Sequence, residues 1–377
     1  MLFLESFSFV VIALYSLLIV YYVAGWYKAR LSIKGSLDSK KESLSVSVVV
    51  AARNEEDNIT NLLEHLTNQN YPSDQYEIII VDDHSEDKTI EKARTFINSR
   101  VKVVSLPDGY SGKRDALNYG CLQASGEFIL NTDADCWMGP KWMESMIAAK
   151  FHFKADLILG PVQFTSSSLS ILGAFQDIDM MNMVGISSAT TSFGKTQVCN
   201  GACMGYYRKT FTHLNVFREG NRKGAGDDME LMLAFRENSD YRIGYALDAN
   251  AMVYTEAMPT WKLFLQQRLR WASTGGDIKN RSIKMTLILV LLTNILIPAI
   301  GISVLFSESF LPLFLVFLGS KMLLDFIFLY GVFDFYKKIS YLILYPLIQF
   351  LHILYICIIG VGMHFNSFSW KDREIQS

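Results

Sequence analysis

Cysteine is scarce in this sequence, and its pattern indicates neither a disulfide framework nor a structural metal site. The 377 residues include five cysteines, an odd number, and none stands at metal-ligand spacing from a nearby histidine. Such usage is typical of a domain in a reduced, cytosolic compartment. The net charge is also small, −2 at pH 7, which argues against a protein that binds nucleic acid. The cysteines are Cys121, Cys136, Cys199, Cys203 and Cys357.

Charged residues are absent from residues 7–27, a run long enough to cross a bilayer as a helix. No basic segment precedes this run and no small-residue cleavage site follows it, so we expect an anchor rather than a removed signal peptide. Further candidate spans lie at 285–306, 310–333 and 339–363. The sequence therefore predicts an N-terminal anchor at 1–30, a soluble α/β domain at 44–280, a membrane region of about three helices at 284–365 and a tail at 366–377.

Basic residues beside these spans predict the topology, because cytoplasmic flanks carry the excess of lysine and arginine. They follow the first span, precede the second, and separate the third from the fourth, which places the N-terminus outside and the soluble domain inside. Lys371 and Arg373 in the tail would then lie outside, so either the tail is an exception or one C-terminal segment does not fully cross. Lys321 and Asp325 lie within the third span at helical spacing and are expected to neutralise each other, with a lipid-handling role as the alternative. The flanking residues are Lys28, Arg30, Lys34, Lys40, Lys41, Lys279, Arg281, Lys284, Lys337 and Lys338.

Strand patterns alternate with helix patterns in the first half of the soluble region. Apolar runs at 45–52, 76–81, 101–105 and 128–130 predict strands, and the segments between them have helical spacing. This alternation predicts a parallel sheet with helices on both faces and a ligand crevice at the carboxyl ends of its strands. A later amphipathic stretch, 169–186, is interpreted as a core helix, a membrane-surface helix or a wall of an acceptor cleft.

Two carboxylates, Asp133 and Asp135, follow the strand at 128–130. Alternation along extended backbone would put them on one side, roughly 7 Å apart at Cα. A hard divalent cation such as Mg²⁺ binds few protein carboxylates and completes its shell with phosphate oxygens. The pair therefore predicts a place where a metal meets a phosphate-bearing donor, although a polar turn would have the same pattern.

Six short motifs occur in a fixed order between residues 45 and 275. They are Ala52-Arg53-Asn54-Glu55-Glu56, Val81-Asp82-Asp83-x-Ser85-x-Asp87, Gly112-Lys113-x-x-Ala116-Leu117-Asn118, Asp133-x-Asp135, Gly226-Asp227-Asp228 and Gln267-x-x-Arg270-Trp271. Together these motifs resemble those of the family 2 glycosyltransferases. These enzymes are inverting transferases of the GT-A fold, an α/β architecture, and the resemblance implies such a domain here beside the transmembrane helices.

The resemblance implies a donor site for a UDP-sugar. Arg53, Glu55 and Asp83 match the residues that hold the uracil, where a carboxylate can accept a hydrogen bond from the base. Lys113 would offset diphosphate charge. Asp133 would contact the ribose and the metal, and Asp135 would bind the metal, Mg²⁺ or Mn²⁺, directly.

The resemblance also implies the reacting groups. Asp228 matches the general base that takes the proton of the acceptor hydroxyl. Asp227 stands where many members have Glu. Gln267, Arg270 and Trp271 match the motif that closes over the diphosphate and the acceptor.

These features predict a multi-pass protein of the inner (cell) membrane with a cytoplasmic catalytic domain and no nucleic-acid partner. The expected reaction moves a sugar from a UDP-sugar to a hydroxyl of a lipid or lipid-linked acceptor. A processive polysaccharide synthase is the enzymatic alternative, although no Phe-x-Val-Thr-x-Lys motif follows Trp271. A catalytically silent scaffold that binds nucleotide-sugars is the non-enzymatic alternative, and it would be favoured by replaced carboxylates, of which none is seen.

Overall fold

The computed structural model describes residues 2–33, 43–165, 170–217, 226–275, 280–362, 368–370 and 373–375. The helices are α1 (Leu2–Ile33), α2 (Ile59–Thr67), α3 (Thr89–Arg94), α4 (Lys113–Gln123), α5 (Trp142–Phe153), α6 (Ile171–Ser192), α7 (Arg208–Leu214), α8 (Asp227–Glu237), α9 (Trp261–Gly275), α10 (Arg281–Phe306), α11 (Leu311–Tyr336) and α12 (Tyr345–Gly362). The strands are β1 (Val46–Ala52), β2 (Tyr76–Asp82), β3 (Val101–Ser105), β4 (Phe128–Asn131), β5 (Cys136–Met138), β6 (Leu157–Leu159), β7 (Val162–Thr165), β8 (Met204–Tyr207), β9 (Ile243–Tyr245), β10 (Val253–Glu256), β11 (Phe368–Trp370) and β12 (Arg373–Ile375).

A seven-stranded sheet in the order β3-β2-β1-β4-β8-β6-β9 forms the centre of the soluble region. β1 and β2 consist mainly of valine and isoleucine and are almost entirely buried, as expected for strands covered on both faces. β1 pairs in parallel with both β2 and β4, and β2 pairs in parallel with β3. The α/β fold class predicted from the sequence is confirmed.

The parallel pattern predicted from the first half of the soluble region holds for β1 to β4, and the rest of the sheet is mixed. β8 runs antiparallel to both β4 and β6 and lies between them, whereas β6 and β9 are parallel. A glycine makes the pairing of β8 possible, because a Cβ on Gly205 would lie 2.5 Å from the side chain of Leu130. The apolar run at 157–162 forms two strands rather than one. It divides at Gly160-Pro161, and β7 joins a separate three-stranded sheet, β5-β10-β7.

Three helices are long and apolar enough to cross a membrane by length and composition: Leu4–Ile33, Arg281–Phe306 and Glu308–Tyr336. The fourth predicted segment differs, because it divides into a short 3-10 helix, Ile339–Ile343, and α12, whose apolar part is shorter than a typical span. The domain boundaries drawn from the sequence stay a prediction.

α6 is a core helix, and most of its residues are buried. Glycines allow it to approach the apolar helices closely. A Cβ on Gly25 of α1 would lie 2.5 Å from the carbonyl oxygen of Ala189, and one on Gly185 would lie 2.9 Å from Phe328 of α11. The burial of α6 against α1 and α11 matches the core-helix interpretation rather than a helix exposed on a membrane surface.

The charges within α11 are paired as predicted. The ammonium of Lys321 lies 2.6 Å from the carboxylate of Asp325. Asp325 also accepts hydrogen bonds from Tyr15 of α1 and Gln349 of α12. The pair thereby connects three helices.

Candidate active site

Asp133 and Asp135 lie on a tight turn that connects β4 to β5. β4 ends at Asn131, and the amide of Cys136 donates to the carbonyl of Asp133 at 3.2 Å. A turn, rather than the extended backbone assumed from the sequence, therefore brings the two carboxylates together. Their oxygens and the sulfur of Cys136 lie within 4.8 Å of one another.

Lys113, at the start of α4, balances part of this negative charge. Its ammonium lies 2.6 Å from Asp133 and 3.8 Å from Asp227. Burial favours the neutral amine, but Asp133 and Asp227 outweigh burial and raise the pKa of Lys113, so the side chain stays charged.

The charge on Asp135 is not balanced in the same way. Its carboxylate faces the open side of the cleft, yet the surrounding protein desolvates it, and Asp133 and Glu55 lie near it. Desolvation, followed by the two neighbouring carboxylates, raises the pKa of Asp135 to about 6. A shift of this kind indicates a place where negative charge is concentrated and where a cation would bind.

The donor atoms of this turn fit a hard divalent cation. Two carboxylates can each supply an oxygen, which is the ligand type that Mg²⁺ and Mn²⁺ prefer. Burial and the adjacent carboxylates raise the pKa of the Cys136 thiol. A hard cation prefers the carboxylate oxygens to this sulfur. Asp133 and Asp135 are therefore the residues that could hold the predicted metal.

Arg53 and Asp83 connect the loops that follow β1 and β2. The Nη1 of Arg53 donates to the carbonyls of Asp83 at 2.8 Å and of His84 at 3.1 Å. The carboxylate of Asp83 accepts from the amide of Gly112 at 2.9 Å, and that of Glu55 accepts from Asn58 at 2.8 Å. Arg53, Glu55 and Asp83 thus lie just beyond the carboxyl ends of β1 and β2, and we call them the wall of the candidate site.

Two motif residues without a predicted role, Ser85 and Asp87, hold this wall together with Thr89, which lies just beyond the motif. The backbone amides of residues 54, 55 and 56 donate to the side chains of Ser85, Thr89 and Asp87 respectively. These bonds join the loops that follow β1 and β2. The presence of Ser85 and Asp87 in the motif was visible in the sequence, but the structural role of the three side chains was not.

Asp228 is held in a fixed orientation at the start of α8. One oxygen accepts from the amide of Met229 at 2.7 Å and the other from the amide of Gly201 at 2.9 Å. Burial and the charge of Asp227 raise the pKa of Asp228 to about 6, against the opposing effect of Lys113. A carboxylate with this pKa is ionised at neutral pH and is basic enough to accept a proton.

α9 brings Arg270 to the same cluster. Burial lowers the pKa of Arg270, and the carboxylates of Asp133, Asp227 and Asp228 oppose this effect, which shows that the guanidinium faces them. Gln267 lies one turn earlier on the same helix. Its Oε1 is buried and has no hydrogen-bond donor within the described ranges, which costs about 1–3 kcal/mol, so stability does not explain this residue.

Trp271 is held by a residue that the motif analysis left without a role. The guanidinium carbon of Arg268 lies 4.0 Å from the centroid of the Trp271 ring. Arg268 also forms a buried ion pair with Asp179 of α6, with 2.8 Å between nitrogen and oxygen. In the sequence, the signal for this role was that Asp179 and Arg268 are charged residues within largely apolar helical patterns. The sequence could not show that the two residues meet.

Comparisons with known proteins identify relatives of the region that contains this site. Residues 47–214 match the family model described as glycosyl transferase family 2. Glycosyltransferase AglE of Haloferax volcanii is 35% identical over 121 residues, which are 32% of this chain and 40% of that protein. The poly-beta-1,6-N-acetyl-D-glucosamine synthase of Staphylococcus epidermidis is 28% identical over 252 residues, 64% of this chain and 57% of that protein. The chain thus spans about half the length of these curated relatives.

A solved structure has the same fold along nearly the whole chain. The mannosyltransferase PcManGT from Pyrobaculum calidifontis, in complex with GDP-Man and Mn²⁺, matches with a TM-score of 0.53 and 17% sequence identity. The match covers 96% of this chain and 99% of that chain. At this identity the likeness concerns the fold alone.

Proposed function

The chain belongs to glycosyl transferase family 2, and from this premise we propose that it is a membrane-bound, inverting enzyme that uses a UDP-sugar. Its acceptor is the hydroxyl of a lipid or a lipid-linked molecule. The observation that carries the proposal is the cluster formed by Asp133, Asp135, Lys113, Arg270 and Asp228. It combines a cation site, fixed positive charge and an oriented base in one crevice.

Each group has a defined task in the transfer. Asp228 accepts the proton of the acceptor hydroxyl while the acceptor oxygen forms a bond to the anomeric carbon on the face opposite the diphosphate. The bond between that carbon and the diphosphate oxygen breaks, and its electron pair leaves with the diphosphate. Lys113 and Arg270 offset the charge that develops there. A Mg²⁺ or Mn²⁺ held by Asp133 and Asp135 would supply Lewis-acid stabilisation of the same leaving group.

The wall formed by Arg53, Glu55 and Asp83 is proposed to bind the nucleobase. A carboxylate on this wall accepts the ring N–H of uracil, but guanine also presents ring N–H groups, so the base needs a direct test. Binding of UDP and GDP to the purified protein in the presence of Mn²⁺ should be compared by calorimetry. We expect UDP to bind more tightly and Asp83→Ala to remove that preference. Tighter binding of GDP would indicate that the donor is a GDP-sugar rather than a UDP-sugar.

The membrane topology is proposed from the lengths of the helices. If α1, α10 and α11 cross and α12 does not, the catalytic domain and the tail lie on the same, cytoplasmic side of the inner membrane. The basic residues of the tail would then lie on the cytoplasmic side, where lysine and arginine are in excess beside membrane spans. α12 instead packs against the catalytic domain, where the ring of Tyr355 lies 5.6 Å from that of Phe264 on α9.

The acceptor distinguishes the proposed enzyme from a processive synthase. A synthase that exports its chain needs a protein-lined path through the bilayer, and three long helices in the described ranges provide little of one. The likeness to a poly-beta-1,6-N-acetyl-D-glucosamine synthase keeps this second function open. Purified protein should be incubated with labelled UDP-sugars and total membrane lipid, and the products separated by solvent extraction. Label in a discrete organic-phase species supports a lipid acceptor, whereas label only in a glycosidase-sensitive polymer supports the synthase.

A further inference from the structure

A cavity lies where α1 meets the soluble domain, away from the proposed transfer site. Its volume is about 400 Å³, and it is lined by the end of α1, the end of α6 with the turn that follows, the end of α8, and β9 with the residues before it. We call it the basic pocket, because Lys28, Arg236 and Arg242 line it and no acidic residue does so among the described residues.

The side chains of the three cations make contacts other than ion pairs. Within the described ranges none of them forms an ion pair with a carboxylate. Arg236 donates to the carbonyl of Thr196 at 2.6 Å, and the ammonium of Lys28 faces the ring of Phe193 at 4.7 Å. The nearby carboxylate of Asp156 accepts the backbone amide of Arg242 rather than its side chain. Glu237, which does not line the pocket, acts electrostatically on Arg236. Among the described residues the lining itself still has an excess of positive charge that an anion would neutralise.

The serine and threonine hydroxyl groups of the pocket are already engaged. Ser32 and Ser188 donate to backbone carbonyls of their own helices, Ser192 donates to the carbonyl of Gly25, and the hydroxyls of Thr191 and Thr196 bond each other at 3.0 Å. Sugar hydroxyls would therefore find few donors here. The guanidinium and ammonium groups are the available donors, and they suit a phosphate.

The pocket also lies at the end of a helix that can cross the membrane. Lys28 and Ser32 belong to the last turns of α1. On the same turns, Tyr27 and Leu31 are 50% and 68% exposed, so apolar surface continues along the helix beside the cation. A molecule with a phosphate in the pocket and acyl chains along α1 would satisfy both features.

We propose that the basic pocket binds the phosphate headgroup of an anionic membrane lipid, and that this lipid stabilises the position of the catalytic base. Asp228 is in the first turn of α8 and Arg236 in the last, roughly 12 Å apart along the axis at 1.5 Å per residue. Arg236 bonds the carbonyl of Thr196, and a few residues later the amide of Gly201 donates to Asp228. A phosphate on Arg236 thus fixes both segments that orient the base. This consequence rests on the proposed function, whereas the binding of the lipid does not.

Lipid binding is tested with the purified full chain in detergent, using dioleoyl phosphatidic acid as the probe because its headgroup is phosphate alone. Native mass spectrometry should find one phosphatidic acid retained and no comparable retention of dioleoyl phosphatidylcholine. Replacing two pocket cations, in Lys28→Gln/Arg242→Gln, should weaken retention by at least about tenfold, the scale of one lost charge-assisted hydrogen bond. Arg30→Gln is the matched control, since Arg30 is on the same end of α1 but pairs with Asp334 at 3.3 Å. Retention of phosphatidic acid by this control variant should stay within about twofold of that by the wild type.

Equal retention by the double variant and the wild type, or equal retention of phosphatidylcholine, would overturn the proposal. Titration with inorganic phosphate distinguishes the source of the phosphate. If inorganic phosphate binds the wild type but not the double variant, and no phosphatidic acid is retained, the pocket takes a free phosphate and the lipid is excluded. UDP release in nanodiscs of phosphatidylcholine with and without phosphatidic acid tests the consequence for the base. A higher kcat with the lipid in wild type, absent in the double variant, supports it, and an unchanged kcat with intact retention rejects that consequence alone.

Discussion

The carboxylate of Asp179 on α6 lies 2.8 Å from the guanidinium of Arg268 on α9, and both side chains are almost completely buried. The pair attaches α9 to α6, the helix that packs against α1 and α11. Gln267, Arg270 and Trp271 are on α9, so their position depends on this attachment. The position of this motif is therefore fixed through α6.

Asp179→Asn should destabilise the protein by about 3–5 kcal/mol, because it leaves Arg268 as an uncompensated buried charge. Removing both charges in Asp179→Leu/Arg268→Met should recover part of this loss, since apolar residues of similar volume replace buried pairs well. The thermal unfolding midpoint in detergent measures both effects. Arg30→Gln, which breaks the exposed pair with Asp334, is the control and should cost no more than about 1 kcal/mol. Similar midpoints for the buried and the exposed single variants would contradict this account.

Removal of the divalent cation should abolish UDP release, and Mn²⁺ or Mg²⁺ should restore it, because Lys113 and Arg270 balance only part of the charge with which the diphosphate leaves, and a cation at the Asp133–Asp135 turn would balance the rest. Asp135→Ala should cost several kcal/mol of transition-state stabilisation, read as a loss in kcat/KM. Cys136→Ala is the control on the same turn, and its metal dependence should match that of wild type. Full activity of any variant in excess chelator would refute a role for the metal.

Asp228→Asn should lower turnover by about 10²–10⁴-fold, since an amide keeps the shape of the side chain but cannot accept the proton. Binding of the UDP-sugar should survive, because Asp228 is not part of the nucleotide wall. Asp227→Asn is the neighbouring comparison. Normal turnover of the Asp228 variant with loss of turnover in the Asp227 variant would move the role of the base to Asp227.

The pH profile should report the ionisation of the base. Asp228 must lose its proton before it can accept another, so kcat/KM should rise with pH through about 6, which is its raised pKa. Asp227 contributes to that rise in pKa, and removing its negative charge in Asp227→Asn should shift the profile toward lower pH. A shift toward higher pH, or none, would show that Asp227 does not act on the base electrostatically.

The part of the fold that the sequence could predict has local signals. β1 and β2 are continuous apolar runs followed by polar loops, so their type, direction and polar ends could be predicted, and Arg53, Asp83 and Asp135 lie near the expected crevice. Asp133 and Asp135 were expected on extended backbone, because nothing in the local pattern shows that β4 ends at Asn131.

The parts that could not be predicted depend on contacts between distant segments. The antiparallel insertion of β8 requires Gly205 to lie against Leu130, and no periodicity encodes that contact. The ion pair between Asp179 and Arg268 joins residues from different helices. The sequence around each of them has the pattern of an ordinary amphipathic helix and does not show that the two residues meet. The basic pocket is assembled from the ends of four elements, so its three cations are dispersed in the sequence.

The hydrogen bond between Tyr15 and Asp325 has a consequence for biosynthesis, since it joins residues separated by 310 positions. At about 5–20 residues per second, a ribosome needs about 15 to 60 s to reach Asp325 after it has made Tyr15. During that interval α1 lacks this hydrogen-bond partner. When α11 emerges, the phenol of Tyr15 is already available to its acidic side chain, so the earlier helix provides a docking point for the later one.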